Sequence, residues 1–186
     1  MNLIIRDMTT ADIECVCKLL EDVITETYKI NNLKNDDLYE FIAEKKHGIK
    51  EFNGNDKCKG IYKCAFCNGI LVGIGGIYPL CKDILLNIDD QYKNELEIGS
   101  LYIHVDYQKK GIAKELMAKL VNEIVMMNKE YFFLDCGYKS SQLYWERILG
   151  APYKRLESYF DANEHYLIWK IETKEAKRIF KTENDE

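Results

Sequence analysis

The chain lacks any apolar run of membrane-span length, any internal repeat and any low-complexity segment, so neither a membrane protein nor a repeat array is expected. It also lacks a basic excess: 26 Lys and Arg stand against 31 Asp and Glu, a formal net charge of -5. A nucleic-acid binder needs a basic surface for the phosphates, so no nucleic acid is expected, while a cationic partner such as an amine is mildly favoured. The seven cysteines (Cys15, Cys17, Cys58, Cys64, Cys67, Cys81, Cys136) have no disulfide-framework spacing. No signal peptide is expected ahead of them, which points to free thiols in a reducing cytoplasm. A metal site from Cys58, Cys64, Cys67 and Cys81 is the alternative, because Cys64-x-x-Cys67 has ligand spacing. Along a strand, however, an odd separation turns Cys64 and Cys67 to opposite faces, so no metal is expected.

What is present suits one domain. With 186 residues, 47% of them hydrophobic, the chain can bury a substantial core unaided. Residues 1–171 are expected to form that domain, and 172–186 a charged tail whose helix is solvated and frays.

The organising stretch runs from Glu95 to Asn128. Its first part alternates as a strand does, with Ile98, Ser100 and Tyr102 on one side and Glu97, Gly99, Leu101 and Ile103 on the other. Its last part is an amphipathic helix, with Ala113, Leu116, Met117, Leu120, Val121 and Ile124 at helical spacing. Between them, Asp106 to Ala113 is a short basic loop whose Gly111 opens the helix. The first N–H groups of a helix lack intrahelical acceptors and carry the positive end of its dipole, so this junction suits a phosphate, or simply a helix start. A side chain at Gly111 would obstruct such an anion, and Lys109 and Lys110 add charge.

Elsewhere, Leu3–Arg6 is a short strand, and a threonine N-cap at Thr9-Thr10 opens a helix through Ile24. A polar segment, 25–35, leads to a second helix, Asp36–Lys46, and 51–60 is a loop. Ile61–Phe66 and Ile70–Tyr78 flank Asn68-Gly69, a strong hairpin signal. The insertion Leu80–Asn94, with Asp83, Asp89 and Asp90, is expected at the surface. Tyr131–Cys136 is a continuous apolar run fit for a buried strand. Lys139–Gly150 is a capped helix ending at glycine. Tyr153–Phe160 and His165–Ile171 form two aromatic strands joined at 161–164, where Tyr159, Tyr166 and Trp169 are expected to pack.

The run Leu101-Tyr102-Ile103-His104-Val105-Asp106-Tyr107-Gln108-Lys109-Lys110-Gly111-Ile112-Ala113 resembles the acetyl-CoA-binding motif of the GNAT superfamily of N-acetyltransferases, Q/R-x-x-G-x-G/A. Gln108, Gly111 and Ala113 fill its fixed positions; Lys109 stands where glycine is frequent. The resemblance implies that acetyl-CoA is bound by Leu101, Tyr102, Ile103, Gln108, Lys109, Lys110, Gly111, Ile112, Ala113 and Ser141, with its pyrophosphate on the loop amides. The segment 138–150 is similar to the second GNAT signature, N-x-x-A/S-x-x-F-Y-E-K-x-G-F, with Ser141 at the small position and Tyr144 at the first aromatic. Trp145 replaces the usual tyrosine, Tyr138 the asparagine, and one extra residue precedes Gly150. The implied fold is α/β (α+β): a mixed, mostly antiparallel sheet of six or seven strands, splayed in the middle, with helices on both faces.

An amine acceptor must lose a proton before it attacks a thioester. The resemblance implies that Glu97, four residues before Leu101, is the general base; Glu95 is the reserve, and an exposed strand glutamate is the alternative. A main-chain N–H at or near Tyr102 would face the developing oxyanion, and Tyr144 could protonate the leaving thiolate or merely pack beside Trp145. The expected function is acetyl-CoA-dependent N-acetylation of a small, cationic, amine-bearing metabolite by a monomer or homodimer. A protein amino terminus or lysine is the alternative acceptor, and a non-catalytic acyl-CoA-binding module the other class.

Overall fold

Asn68 and Gly69 both hold positive φ (50° and 83°), the conformation a tight two-residue hairpin needs, and they close β2 (Ile61–Cys67) onto β3 (Ile70–Pro79). This hairpin is part of the sheet of the computed structural model, which describes residues 2–34, 36–52, 60–162 and 164–181. β1 (Leu3–Asp7) pairs antiparallel with β2, and β4 (Leu96–Ile103) antiparallel with β3. β5 (Tyr131–Cys136) is antiparallel to β7 (Glu164–Glu172), which also pairs with the outer strand β6 (Lys154–Asp161). The seven strands lie in the order β1-β2-β3-β4-β5-β7-β6, a mixed and mostly antiparallel sheet.

The two halves meet at one weak seam. β4 and β5 run parallel and are in register only at Leu96–Phe132 and Glu97–Phe133, after which they diverge. The expected splay therefore lies at the centre of the sheet. Helices α1 (Ile13–Asn31), α2 (Leu38–Lys50) and the short α3 (Lys82–Leu85) cover one face, packing Leu20, Ile24, Ile42 and Ile84 on Cys64, Ile74, Phe133 and Ile168. Helices α4 (Ile112–Met126), α5 (Lys139–Leu149) and α6 (Thr173–Ile179) cover the other, packing Met117, Leu120, Ile124 and Trp145 on Ile98, Phe132, Leu134 and Trp169. Each large side chain buried this way contributes roughly 1.5–3 kcal/mol of apolar transfer free energy, enough to hold two layers over an interrupted sheet.

Several sequence expectations change. β4 does not alternate throughout: Ser100 holds φ 51°, and three residue steps of β4 match two of β3 between Tyr102–Ile74 and Gly99–Gly76. This bulge puts Ile98, Leu101 and Ile103 together on the α4 face and leaves Glu97 and Tyr102 on the other. α1 runs on through Asn31, absorbing most of the polar segment 25–35, because Tyr28 is buried while its polar neighbours face outward. α2 is displaced to Leu38–Lys50. The insertion after β3 is anchored by fully buried Ile84, and Asp83 accepts a 2.8 Å bond from the Tyr159 hydroxyl. The loop at 51–60 falls mostly, and the 161–164 turn partly, outside the described residues.

Cys64 and Cys67 do face opposite sides, in separate core clusters. The six described cysteines are free, and Cys58 lies outside the described residues. Among the described residues no helix is long and apolar enough to cross a membrane.

The charged C-terminal segment is not a solvated helix over its described part. Ala176 and Phe180, four residues apart and therefore on one face, are buried in the cluster that α4 builds, at 0% and 2% exposure. We expect Phe180→Ala to lower unfolding free energy by about 3 kcal/mol in denaturant titration; an unchanged midpoint would mean that the segment contributes nothing to the fold.

Candidate active site

The loop between β4 and α4 is built to present amides. Lys109 and Gly111 both hold positive φ, 59° and 84°, which explains the family preference for glycine at the first position and turns the chain sharply into α4. The Gln108 amide donates to the Ile103 carbonyl (3.1 Å), tying the loop to the end of β4. No side chain caps α4, and its first backbone bond runs from Glu115 N–H to the Gly111 carbonyl, so the preceding N–H groups are left for another acceptor. A Cβ on Gly111 would meet no protein atom within 4 Å. The Lys110 ammonium lies 5.0 Å from the Tyr107 ring centre, beside this mouth. These residues fit a pyrophosphate. The side chains of Leu101, Ile103 and Ile112 pack in the core, which leaves only their backbone to face a cofactor, whereas Tyr102 faces the α1 layer. Ser141 lies half-buried in the first turn of α5.

At the other end of the gap stands a buried acidic cluster. Glu97 and Phe133 are in register, and Asp135 is two residues further along β5, so Glu97 and Asp135 share one face of the sheet. Glu97 is 3% exposed and accepts a 2.6 Å bond from the Cys81 main-chain N–H. Asp135 accepts a 2.6 Å bond from the Tyr166 hydroxyl. The Tyr78 hydroxyl reaches Ser100 Oγ at 3.1 Å, and a Cβ on Gly99 would collide with it; glycine is what lets this phenol into the cluster.

Burial, then the like charge of Asp135, pushes Glu97 from the ordinary carboxylate value of 4.5 up to about 7. Burial likewise raises Asp135, while its Tyr166 bond and the Lys45 ammonium oppose the rise. A carboxyl poised near neutrality can take a proton and release it.

Tyr144 packs edge-on against Trp145 at 4.9 Å between ring centres, with the Arg147 guanidinium 5.7 Å away. Burial raises its hydroxyl above 10.0. It belongs to the α4-side cluster, on the face away from Glu97. Trp145, at the family tyrosine position, is buried in that core. Tyr138 touches both face clusters and packs against Tyr28 and Phe41, with ring centres 6.2 and 6.5 Å apart. Glu95 instead pairs with Lys129, in the turn after α4, at 3.2 Å. Sequence reasoning missed Asp135, Tyr78, Cys81 and Lys45. An aspartate within the apolar run Tyr131–Cys136 was the available signal, because a carboxylate in a buried strand needs a partner.

The sequence profile of the acetyltransferase (GNAT) family matches residues 24–151, more than half of the chain. The protein belongs to the GNAT family of acetyltransferases, whose members use acetyl-CoA. No curated protein matches the chain by sequence. In structure it is similar to the PaiA N-acetyltransferase of Thermoplasma acidophilum in complex with coenzyme A, at TM-score 0.64 and 16% identity over 92% of this chain and 100% of that one. It is also similar to a spermidine N-acetyltransferase SpeG chimera from Vibrio cholerae and hSSAT (0.63, 12%, 95% and 98%). A third is the ribosomal-protein-alanine N-acetyltransferase of Brucella melitensis (0.63, 17%, 91% and 99%).

Two outcomes follow. Acetyl-CoA at a hundredfold excess over its Kd should stabilise the fold by roughly 2.7 kcal/mol. Gly111→Asp should abolish most of that increment, because a negative side chain would meet the pyrophosphate. The ligand-induced shift is the quantity to compare, since the positive φ of Gly111 also lowers the variant's own Tm; an undiminished shift would remove the loop from the site. The second concerns pH. With a folded pKa above its unfolded one, Glu97 contributes stability that is full below 4.5 and lost as pH rises through about 7. Glu97→Gln should therefore gain Tm relative to the parent from about pH 5 to about pH 8; parallel Tm curves would show an unshifted carboxyl.

Proposed function

We propose that the protein is a cytoplasmic N-acetyltransferase that moves the acetyl group of acetyl-CoA to a primary amine of a small, cationic metabolite by direct transfer in a ternary complex. The carrying observation is the buried Glu97 carboxyl, near-neutral in pKa, beside the point where β4 and β5 part. Acetyl-CoA supplies an acyl carbon activated as a thioester. Glu97 takes the proton of the incoming ammonium, leaving the nitrogen lone pair free to attack. A β4 main-chain N–H at or near Tyr102 steadies the developing oxyanion; Ser100 and Leu101 of the bulge fall outside the register with β3, which supports unpaired amides in this stretch. Tyr144 protonates the departing thiolate. Its raised pKa keeps that proton in place at neutral pH, as an acid requires.

The acceptor class rests on charge and surface. Glu97, Asp135 and Asp83 stand near the ammonium of Lys45, among the rings of Tyr62, Tyr78, Tyr159 and Tyr166. Acidic groups set among aromatic rings favour an amine that approaches as a cation. One of the similar structures bears the name of a spermidine acetyltransferase and another that of a ribosomal-protein acetyltransferase, so a protein amino terminus or lysine is the second reading. Buried Trp145 at the family tyrosine position is what favours the remaining reading, a binding module without turnover.

Glu97→Gln keeps shape but accepts no proton. Its turnover should fall by on the order of 10²–10⁴ while acetyl-CoA binding persists. Tyr144→Phe should lower turnover and flatten the alkaline limb of the pH profile. The two losses need not add, since both residues serve one reaction coordinate. Turnover of Glu97→Gln within a fewfold of the parent at every pH would place the base elsewhere.

A further inference from the structure

The mechanism above leaves the buried Asp135 carboxyl unused. Asp135 sits in the otherwise apolar strand β5, on the far lip of the gap from Glu97, and the register turns both carboxylates to the same face. Each is clamped from a different direction. The Cys81 N–H, ahead of α3, holds Glu97, and the Tyr166 hydroxyl on β7 holds Asp135, both at 2.6 Å. Neither can swing toward solvent without breaking its bond. The groups facing the pair are Tyr62 from β2, Tyr78 from β3, Tyr102 from β4, Cys81 and Asp83 from the α3 segment, Tyr166 from β7 and Lys45 from α2. Of these Lys45 alone is cationic. Two carboxylates in a site of low polarity resist simultaneous ionisation, and their protons leave in steps that belong to the pair.

We propose that Asp135, clamped by Tyr166, is a positioning residue for the proton acceptor: it faces Glu97 across the gap and sets the pH at which Glu97 can take the amine's proton. The inference rests on Glu97 as the base. In the step itself an amine N–H bond breaks and a Glu97 O–H bond forms, the electron pair staying on nitrogen; Asp135 makes and breaks no bond. Its charge decides when Glu97 is empty and ready.

The test titrates the Glu97 carboxyl carbon by NMR, its signal assigned by loss in Glu97→Gln, alongside the pH profile of kcat/KM. In Asp135→Asn the Glu97 midpoint should fall by about one unit or more, because a like charge is gone. The acid limb of the profile should move with it, and Asp135→Glu should restore both. Tyr166→Phe, which hinders ionisation of Asp135, should move Glu97 in the same direction by less, and it decides the matter if Asp135→Asn fails to fold. An unmoved Glu97 midpoint overturns the proposal while leaving Glu97 as the base. A midpoint that falls while the acid limb stays in place overturns both the proposal and the assignment of Glu97.

Discussion

The structure depends on one interruption: β4 and β5 pair for two residues and then part. The amide-bearing loop before α4 lies at one end of that opening and the Glu97 and Asp135 carboxylates at the other. Parted strands leave main-chain groups unpaired, which is tolerable only if the two halves of the sheet are held together by other means. The clusters on both faces supply this, since Met117, Leu120 and Trp145 on one side and Ile84 and Phe133 on the other pack across or beside the seam. The gap can stay open because the layers above and below it are closed.

The bulge at Ser100 is the second condition. Had β4 kept strict alternation from Glu97 to Ile103, the two would share a face, and Glu97 would not sit opposite Ile103 as it does. One extra residue puts the apolar side chains of the strand's second half onto α4 and leaves Glu97 and Tyr102 together on the α1 side. The packing that carries the loop before α4 and the buried Glu97 carboxyl are thereby separated onto two faces of one strand. The cost is a serine with positive φ, of order 1–3 kcal/mol, at the point where the strand meets the gap.

This explains what could be read in advance. β5, α4, α5 and the Asn68-Gly69 hairpin were legible because each is set by its own period or turn chemistry. The loop was legible because Gly111 marks a helix start in the local sequence, and the structure adds an uncapped α4 and the Gln108–Ile103 bond. The bulge was not, since nothing local to Ser100 demands it and only the pairing with β3 reveals it. Nor was the docking of α6, because charged neighbours obscure the single pair Ala176 and Phe180. The Asp135–Tyr166 bond joins residues 31 apart in sequence, a separation that no periodicity spans. Sites made of long-range pairs come into view only once the strands are ordered.

The central claim is that the gap carries out transfer and does not merely hold a thioester. Release of free coenzyme A thiol, followed after mixing the protein with acetyl-CoA, first alone and then with a panel of small amines and amino-terminal peptides, tests it most directly. The account predicts negligible release without an acceptor and sustained release with at least one small cationic amine, which is recovered as its N-acetyl derivative. Binding of acetyl-CoA with no thiol release for any amine or peptide would contradict it.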